Sequence, residues 1–117
     1  MRFIYKTQKS TALKLEKTPS DCNSKEEIRS QIDLIDKEII ALFGLRFRYV
    51  SEIVKFKNDV ESVVAQDRKN HVISERGKWA QEHGLDKETF EQIYRFLVDH
   101  NIGKELEILA NSKQVNE

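Results

Sequence analysis

Residues 24–57 read SKEEIRSQIDLIDKEIIALFGLRFRYVSEIVKFK, and this stretch decides the fold. Within it Ile28, Ile32, Ile35, Ile39, Leu42, Arg46, Tyr49, Ile53 and Phe56 follow one another at alternating spacings of four and three. A seam of that kind, sustained for about four heptads, marks one long helix whose apolar stripe faces another helix. Ser24 and Glu27 form a capping box, Ser-x-x-Glu, just ahead of the apolar run, so the helix is expected to start near Ser24. It is expected to reach Lys57, which makes about 34 residues and roughly 50 Å. That length exceeds the width of a compact domain built from 117 residues. The seam therefore needs a partner along its whole length. A second copy of the chain is the economical one, because most oligomers are symmetric homodimers.

Downstream, residues 58–66 read as a loop. Asp67 can cap a second helix running to His83, and Gly84 is a natural stop for it. Asp86 can cap a third, with Phe90, Ile93, Tyr94 and Leu97 on one stripe. Upstream, Pro19 and Asp21 mark a turn. Residues 1–17 hold five basic side chains (Arg2, Lys6, Lys9, Lys14, Lys17) against Glu16 and show no period, which reads as a basic tail. Residues 111–117 are polar and are expected to fray. The expected architecture is all-α: one long N-terminal helix and two shorter ones in an intertwined homodimer, with residues 18–110 as the domain. No stretch reads as a strand.

The composition narrows the function classes. Lys plus Arg and Asp plus Glu number 20 each, so no net charge draws the chain to nucleic acid or an anionic membrane. Four glycines and one proline are too few for a turn-rich β protein. No apolar run approaches the roughly 20 residues of a membrane span. The N-terminus lacks the apolar core of a signal peptide. Cys22, the single cysteine, can form no intrachain disulfide and has no companion for a zinc site. A cytoplasmic location is the expectation. His71, His83 and His100 lack metal-ligand spacing, and Trp79 reads as core. Gly44, inside the long helix, would mark a close helix approach.

Two charged positions depart from the pattern. Arg46 is the only charge on the long seam. Lys57 lies eleven residues further on, nearly three helical turns, so within one helix the two would point the same way about 16 Å apart. Long side chains at that distance can grip a small anion from both ends. Arg29 lies about 25 Å back along the axis and could join that pocket only from the partner in an antiparallel dimer. Two other readings stay open: snorkelling side chains covering apolar neighbours, and interhelical ion pairs. Glu105 is the second departure. Leu97, Asn101 and Glu105 form an i, i+4, i+8 ladder that continues the third helix's apolar stripe. No basic residue stands at 101 or 109 to pair with Glu105 along the helix.

The run Ile28-Arg29-Ser30-Gln31-Ile32-Asp33-Leu34-Ile35-Asp36, with Leu42 to Arg46 and Phe56-Lys57, resembles the long first helix of the all-helical chorismate mutases. The segment Lys17-Thr18-Pro19-Ser20-Asp21-Cys22 is similar to the start of their isochorismate-pyruvate lyase branch, which makes salicylate. So is the stretch Glu75-Arg76-Gly77-Lys78-Trp79-Ala80 through Gly84-Leu85-Asp86. The likeness covers about residues 17 to 108.

The resemblance implies a role for each position. Arg29 would reach into the other subunit's pocket and hold a carboxylate, and Arg46 would hold one from its own subunit. Lys57 would donate to the ether oxygen of the breaking bond and to a carboxylate. Arg68 would close over the substrate. Glu105 would contact the same ether oxygen from the place of a Gln or Glu, with Asn101 one turn before it as a substrate-binding residue. The substrate would be a dicarboxylate, isochorismate or chorismate, and the pericyclic reaction would need no metal and no other cofactor. Two departures speak against an efficient plain mutase. Lys69 stands where many mutases carry a Glu that meets the ring hydroxyl. The segment between Lys57 and Arg68 looks one residue shorter than in typical mutases. The expected function is isochorismate-pyruvate lyase-like. The alternatives are a chorismate mutase making prephenate, an aminodeoxychorismate mutase, or a non-catalytic helical dimerisation module.

Overall fold

The computed structural model describes residues 13–115, with side chains described through Ser112. Residues 1–12, most of the expected basic tail, lie outside the described residues. Among those described the chain is all-helical, as expected, and contains no strand. The order is a 3-10 turn at Pro19–Asp21, α1 (Lys25–Ile53), a second 3-10 turn at Val54–Phe56, α2 (Val60–Val64), α3 (Gln66–Glu82) and α4 (Lys87–Val115). The chain divides into two compact units, 1–48 and 49–117.

In the first unit the start of α1 is fixed by its own side chains. The Ser24 carbonyl accepts the first helical bond from Ile28 N–H at 3.2 Å, and Ser24 Oγ accepts Glu27 N–H at 3.2 Å. Glu27 reaches back one residue further than a capping box requires, taking Asn23 N–H at 2.6 Å. That bond, with the Lys17 ammonium at 2.9 Å, holds the Glu27 carboxyl below the usual glutamate range. The preceding segment is tied back along α1, since Glu16 N–H also donates to Gln31 Oε1 at 3.0 Å.

No residue of α1 is buried. On the seam, Ile28, Ile32, Ile39, Tyr49, Ile53 and Phe56 are all exposed. Gly44 marks no close approach, because a Cβ there would meet nothing within 4 Å.

In the second unit the long helix stops short of the expected Lys57. It gives way at Val54 to a 3-10 turn that Lys57 N–H closes on Val54 O at 3.0 Å. Val54 is buried with Val63 and Leu109, and Ile102, Leu106 and Ile108 pack against them. Lys57 itself has extended backbone, so helical phase from Arg46 does not set its direction. The expected loop at 58–66 contains a helix instead. Asp59 accepts Ser62 N–H at 2.8 Å while Ser62 Oγ accepts Asp59 N–H at 3.4 Å. This reciprocal cap starts α2, which drives Val63 into the core at 1% exposure.

The second expected helix is α3, begun one residue before Asp67 and preceded by Ala65 in the left-handed region, φ 42. It ends as expected at Gly84. Leu85 N–H bonds Ala80 O at 2.9 Å and Gly84 N–H bonds Gln81 O at 3.1 Å, with Gly84 at φ 75. These are the two bonds of a Schellman stop, and glycine carries the positive φ without a Cβ penalty. α3 and α4 pack on each other, with Val72, Ile73, Gly77 and Ala80 buried on α3. The close approach lies at Gly77, where a Cβ would stand 2.6 Å from Glu91 Cγ. Arg76 lies over the Trp79 ring at 4.5 Å, and Trp79 is half exposed rather than core. α4 runs on to Val115, so the polar residues after Ala110 do not end the helix.

Asp86 caps α4, accepting Thr89 N–H at 2.9 Å and the Thr89 hydroxyl at 2.6 Å. The hydroxyl first, and then the backbone N–H, hold its carboxyl below the usual aspartate range. A depressed folded-state value stabilises the fold above the ordinary aspartate range, and this stabilisation is lost as pH falls through the folded-state value. Asp86→Ala is therefore expected to lower the melting temperature at pH 7. The gap to wild type should narrow in thermal unfolding at pH 3. An equal gap at both pH values would show that the charge on the cap contributes nothing.

Candidate active site

Lys57 and Glu105 are 48 residues apart in sequence and meet as an ion pair, Nζ to Oε1 at 2.9 Å. The 3-10 turn and extended residue 57 deliver the lysine. The core face of α4 delivers the glutamate, one turn before Leu109 on the same stripe. The side chains are only 18% and 7% exposed. Burying two charges carries a desolvation cost that the pair's attraction offsets poorly, so such a pair is weak evidence for stability. A buried acid–base pair is a candidate for function on the same grounds. Glu105 thus has the partner that its own helix could not supply.

Asn101, one turn before Glu105 on α4, is also buried, at 6% exposure. It presents an amide donor and acceptor on the face that carries the glutamate. Lys57 further lines an open cleft of about 440 Å³ with Ser51, Val54, Asn58, Ile108 and Leu109. Glu105 and Asn101 do not line this cleft, so the ion pair sits beside it. An ammonium has three donors, and the pair with Glu105 uses one. Lys57 can therefore keep Glu105 and offer two N–H groups to an anionic ligand.

Arg68 is exposed in the first turn of α3. In the first unit, Arg29 is exposed and Arg46 half-buried on α1. None of the three arginines makes an ion pair with a described side chain. Sequence reasoning missed one contact of the second unit. Lys69, on α3, pairs with Asp99, on α4, at 2.5 Å. The residues are thirty apart, and no local spacing signals the contact.

Comparison with known proteins gives the family. The family described as chorismate mutase type II matches residues 28–106, a span that holds all six expected site positions, Arg29, Arg46, Lys57, Arg68, Asn101 and Glu105. An isochorismate pyruvate lyase of Pseudomonas aeruginosa is 33% identical over 90 residues, covering 77% of this chain and 89% of that protein. A chorismate mutase of Methanocaldococcus jannaschii is 25% identical over 91 residues, covering 77% of this chain and 92% of that protein. Among the described residues no helix is long and apolar enough to cross a membrane. The all-helical fold and these matches agree: the chain belongs to the type II chorismate mutase family and is an enzyme of the chorismate mutase and isochorismate pyruvate lyase type.

Proposed function

We propose that the chain converts isochorismate to salicylate and pyruvate as a homodimer in which each site draws Arg29 from the other copy. The observation that carries the reading is the buried Lys57–Glu105 pair, which offers a cation and a carboxyl to one small space. The 33% identical lyase supports this substrate over chorismate. The unburied apolar seam of α1 supports the dimer. The chorismate mutase reading shares the same residues and is the second choice.

In this reaction the ring carbon–ether oxygen bond breaks. A ring hydrogen moves to the enolpyruvyl methylene, which becomes the methyl of pyruvate. The ether oxygen becomes its ketone and the ring becomes aromatic. No covalent bond to the protein is made. The protein's first task is to hold a flexible dianion in a compact conformer, a contribution of orientation. Arg46 from the same chain and Arg29 from its partner would each grip a carboxylate through paired N–H donors. Arg68 would close over the bound substrate, and Asn101 would hydrogen-bond to it. The second task is to stabilise negative charge as it builds on the ether oxygen. Lys57 would do this from one side. Glu105 can do so only when protonated, because a carboxylate can accept but not donate.

Supplying the purified protein with isochorismate and chorismate separately tests the reading. Salicylate with pyruvate from isochorismate, faster than prephenate from chorismate, is the expected result. Prephenate as the faster product would transfer the assignment to the mutase reading. The role of Glu105 has its own test. Glu105→Gln keeps the shape and supplies a permanent N–H donor, so the variant should stay active at neutral pH, whereas Glu105→Ala should lose most of the rate. A Glu105→Ala rate equal to wild type would remove Glu105 from the chemistry.

A further inference from the structure

α3 begins without a side-chain cap. Its N-cap is Ala65, which has no side chain to accept the free N–H groups of the first turn. Ala65 also holds a left-handed conformation that disfavours a residue with a Cβ. The bonds that close the turn are local: Lys69 N–H to Ala65 O at 2.9 Å, and Gln66 Nε2 to Asn70 Oδ1 at 3.0 Å. Ala65 N–H donates to Glu61 O at 2.9 Å, which links the cap to the short α2 and not to α4. The ion pair from Lys69 to Asp99 at 2.5 Å ties the turn to α4. The lysine end is largely covered, its side chain 17% exposed, whereas Asp99 is half exposed. Arg68 precedes Lys69 directly, is exposed, and makes no ion pair with a described side chain.

We propose that the Lys69–Asp99 pair is a positioning device that fixes the first turn of α3 against α4 and thereby aims Arg68 at the bound substrate. The inference rests on the reading of Arg68 as the residue that closes over the dicarboxylate. Lys69 touches no substrate in this account and acts through its neighbour. Without the clamp the first turn frays, since its cap is weak, and Arg68 spends less time in the productive place. Misplacement of a group by about 1 Å can cost 10²-fold, and a side chain that still visits its place should cost less, about tenfold.

The test compares kcat and KM for Lys69→Met, Arg68→Ala and the double variant, on whichever of isochorismate and chorismate the wild type turns over. Lys69→Met should lower kcat/KM about tenfold, and Lys69→Arg, which keeps the pair, should recover most of it. The double variant should be no worse than Arg68→Ala alone, because residues acting through one another are not additive. If Lys69→Met does not fold, Asp99→Asn carries the same comparison with Lys69 in place. Losses that multiply in the double variant, or a Lys69→Met rate equal to wild type, overturn the proposal. Full activity in Arg68→Ala overturns it as well. A folded wild type inactive on both substrates overturns the functional reading and this inference together. An active wild type with independent losses overturns the inference alone.

Discussion

Lys57→Ala is expected to lower kcat by more than about 10³-fold, since removing one neutral donor at a developing oxyanion already costs roughly 10²–10³ and this donor is charged. The same substitution should also destabilise the fold. It leaves Glu105, 5% exposed, with its carboxylate stranded. Breaking a buried pair by removing one partner costs roughly 3–5 kcal/mol, and the partial exposure of Lys57 places this case at the low end, about 3 kcal/mol. The two losses separate in a second variant. Lys57→Met with Glu105→Gln removes both charges, so it should regain stability in denaturant unfolding and remain inactive. Near-wild-type turnover in Lys57→Ala would show that the reaction takes place elsewhere. Inactivity that disappears together with the stability defect would show that the lysine is structural.

Arg29→Ala should lower kcat/KM by about 10²–10³-fold, the kinetic counterpart of the roughly 2–5 kcal/mol lost when one partner of a buried charged hydrogen bond is truncated. The loss should be repairable by a chain carrying a different lesion. Arg29→Ala and Lys57→Ala chains, each nearly inactive alone, are refolded together. Half of the dimers are then mixed, and each mixed dimer has one site with both residues intact. Recovery of up to about a quarter of the wild-type rate is the expected result for a two-fold symmetric dimer with shared sites. No recovery, or a fully active monomer in sedimentation, would place Arg29 outside the site. The exposed isoleucines of α1 point to recovery, because a seam with no buried residue is the surface a second copy would cover.

Those isoleucines also show what the sequence could reveal. The Ile28 to Phe56 spacing marks the long helix itself, and the Ser24 cap, the Gly84 stop and the Asp86 cap each mark an element boundary in the structure to within a residue or two. The end of α1 was not legible, because burial of Val54 against Val63 and Leu109 tightens the last turn. The short α2 had a signal that went unread, the Asp59-x-x-Ser62 cap in a stretch otherwise rich in loop formers. Gly44 and Gly77 look alike in sequence, and only packing against Glu91 distinguishes them. In the site, the oddity of Glu105 was visible as an acid on an apolar stripe. Its partner was not, because 48 residues separate it from Lys57. The same limit hid Lys69–Asp99. The roles of the arginines came from resemblance to a family, since no spacing says which anion a free arginine holds.

The central claim is that Lys57, Glu105 and the arginines orient a dianion and stabilise its ether oxygen while the substrate's own hydrogen moves. The most direct measurement is the reaction with isochorismate in heavy water, with pyruvate trapped at once by reduction and its methyl group read by mass spectrometry. A pericyclic elimination carries the ring hydrogen straight to the methylene, so the account predicts pyruvate with no deuterium in its methyl group. One deuterium per methyl would mean that a protein acid, exchanged with solvent, delivers the proton, and that result would contradict the account.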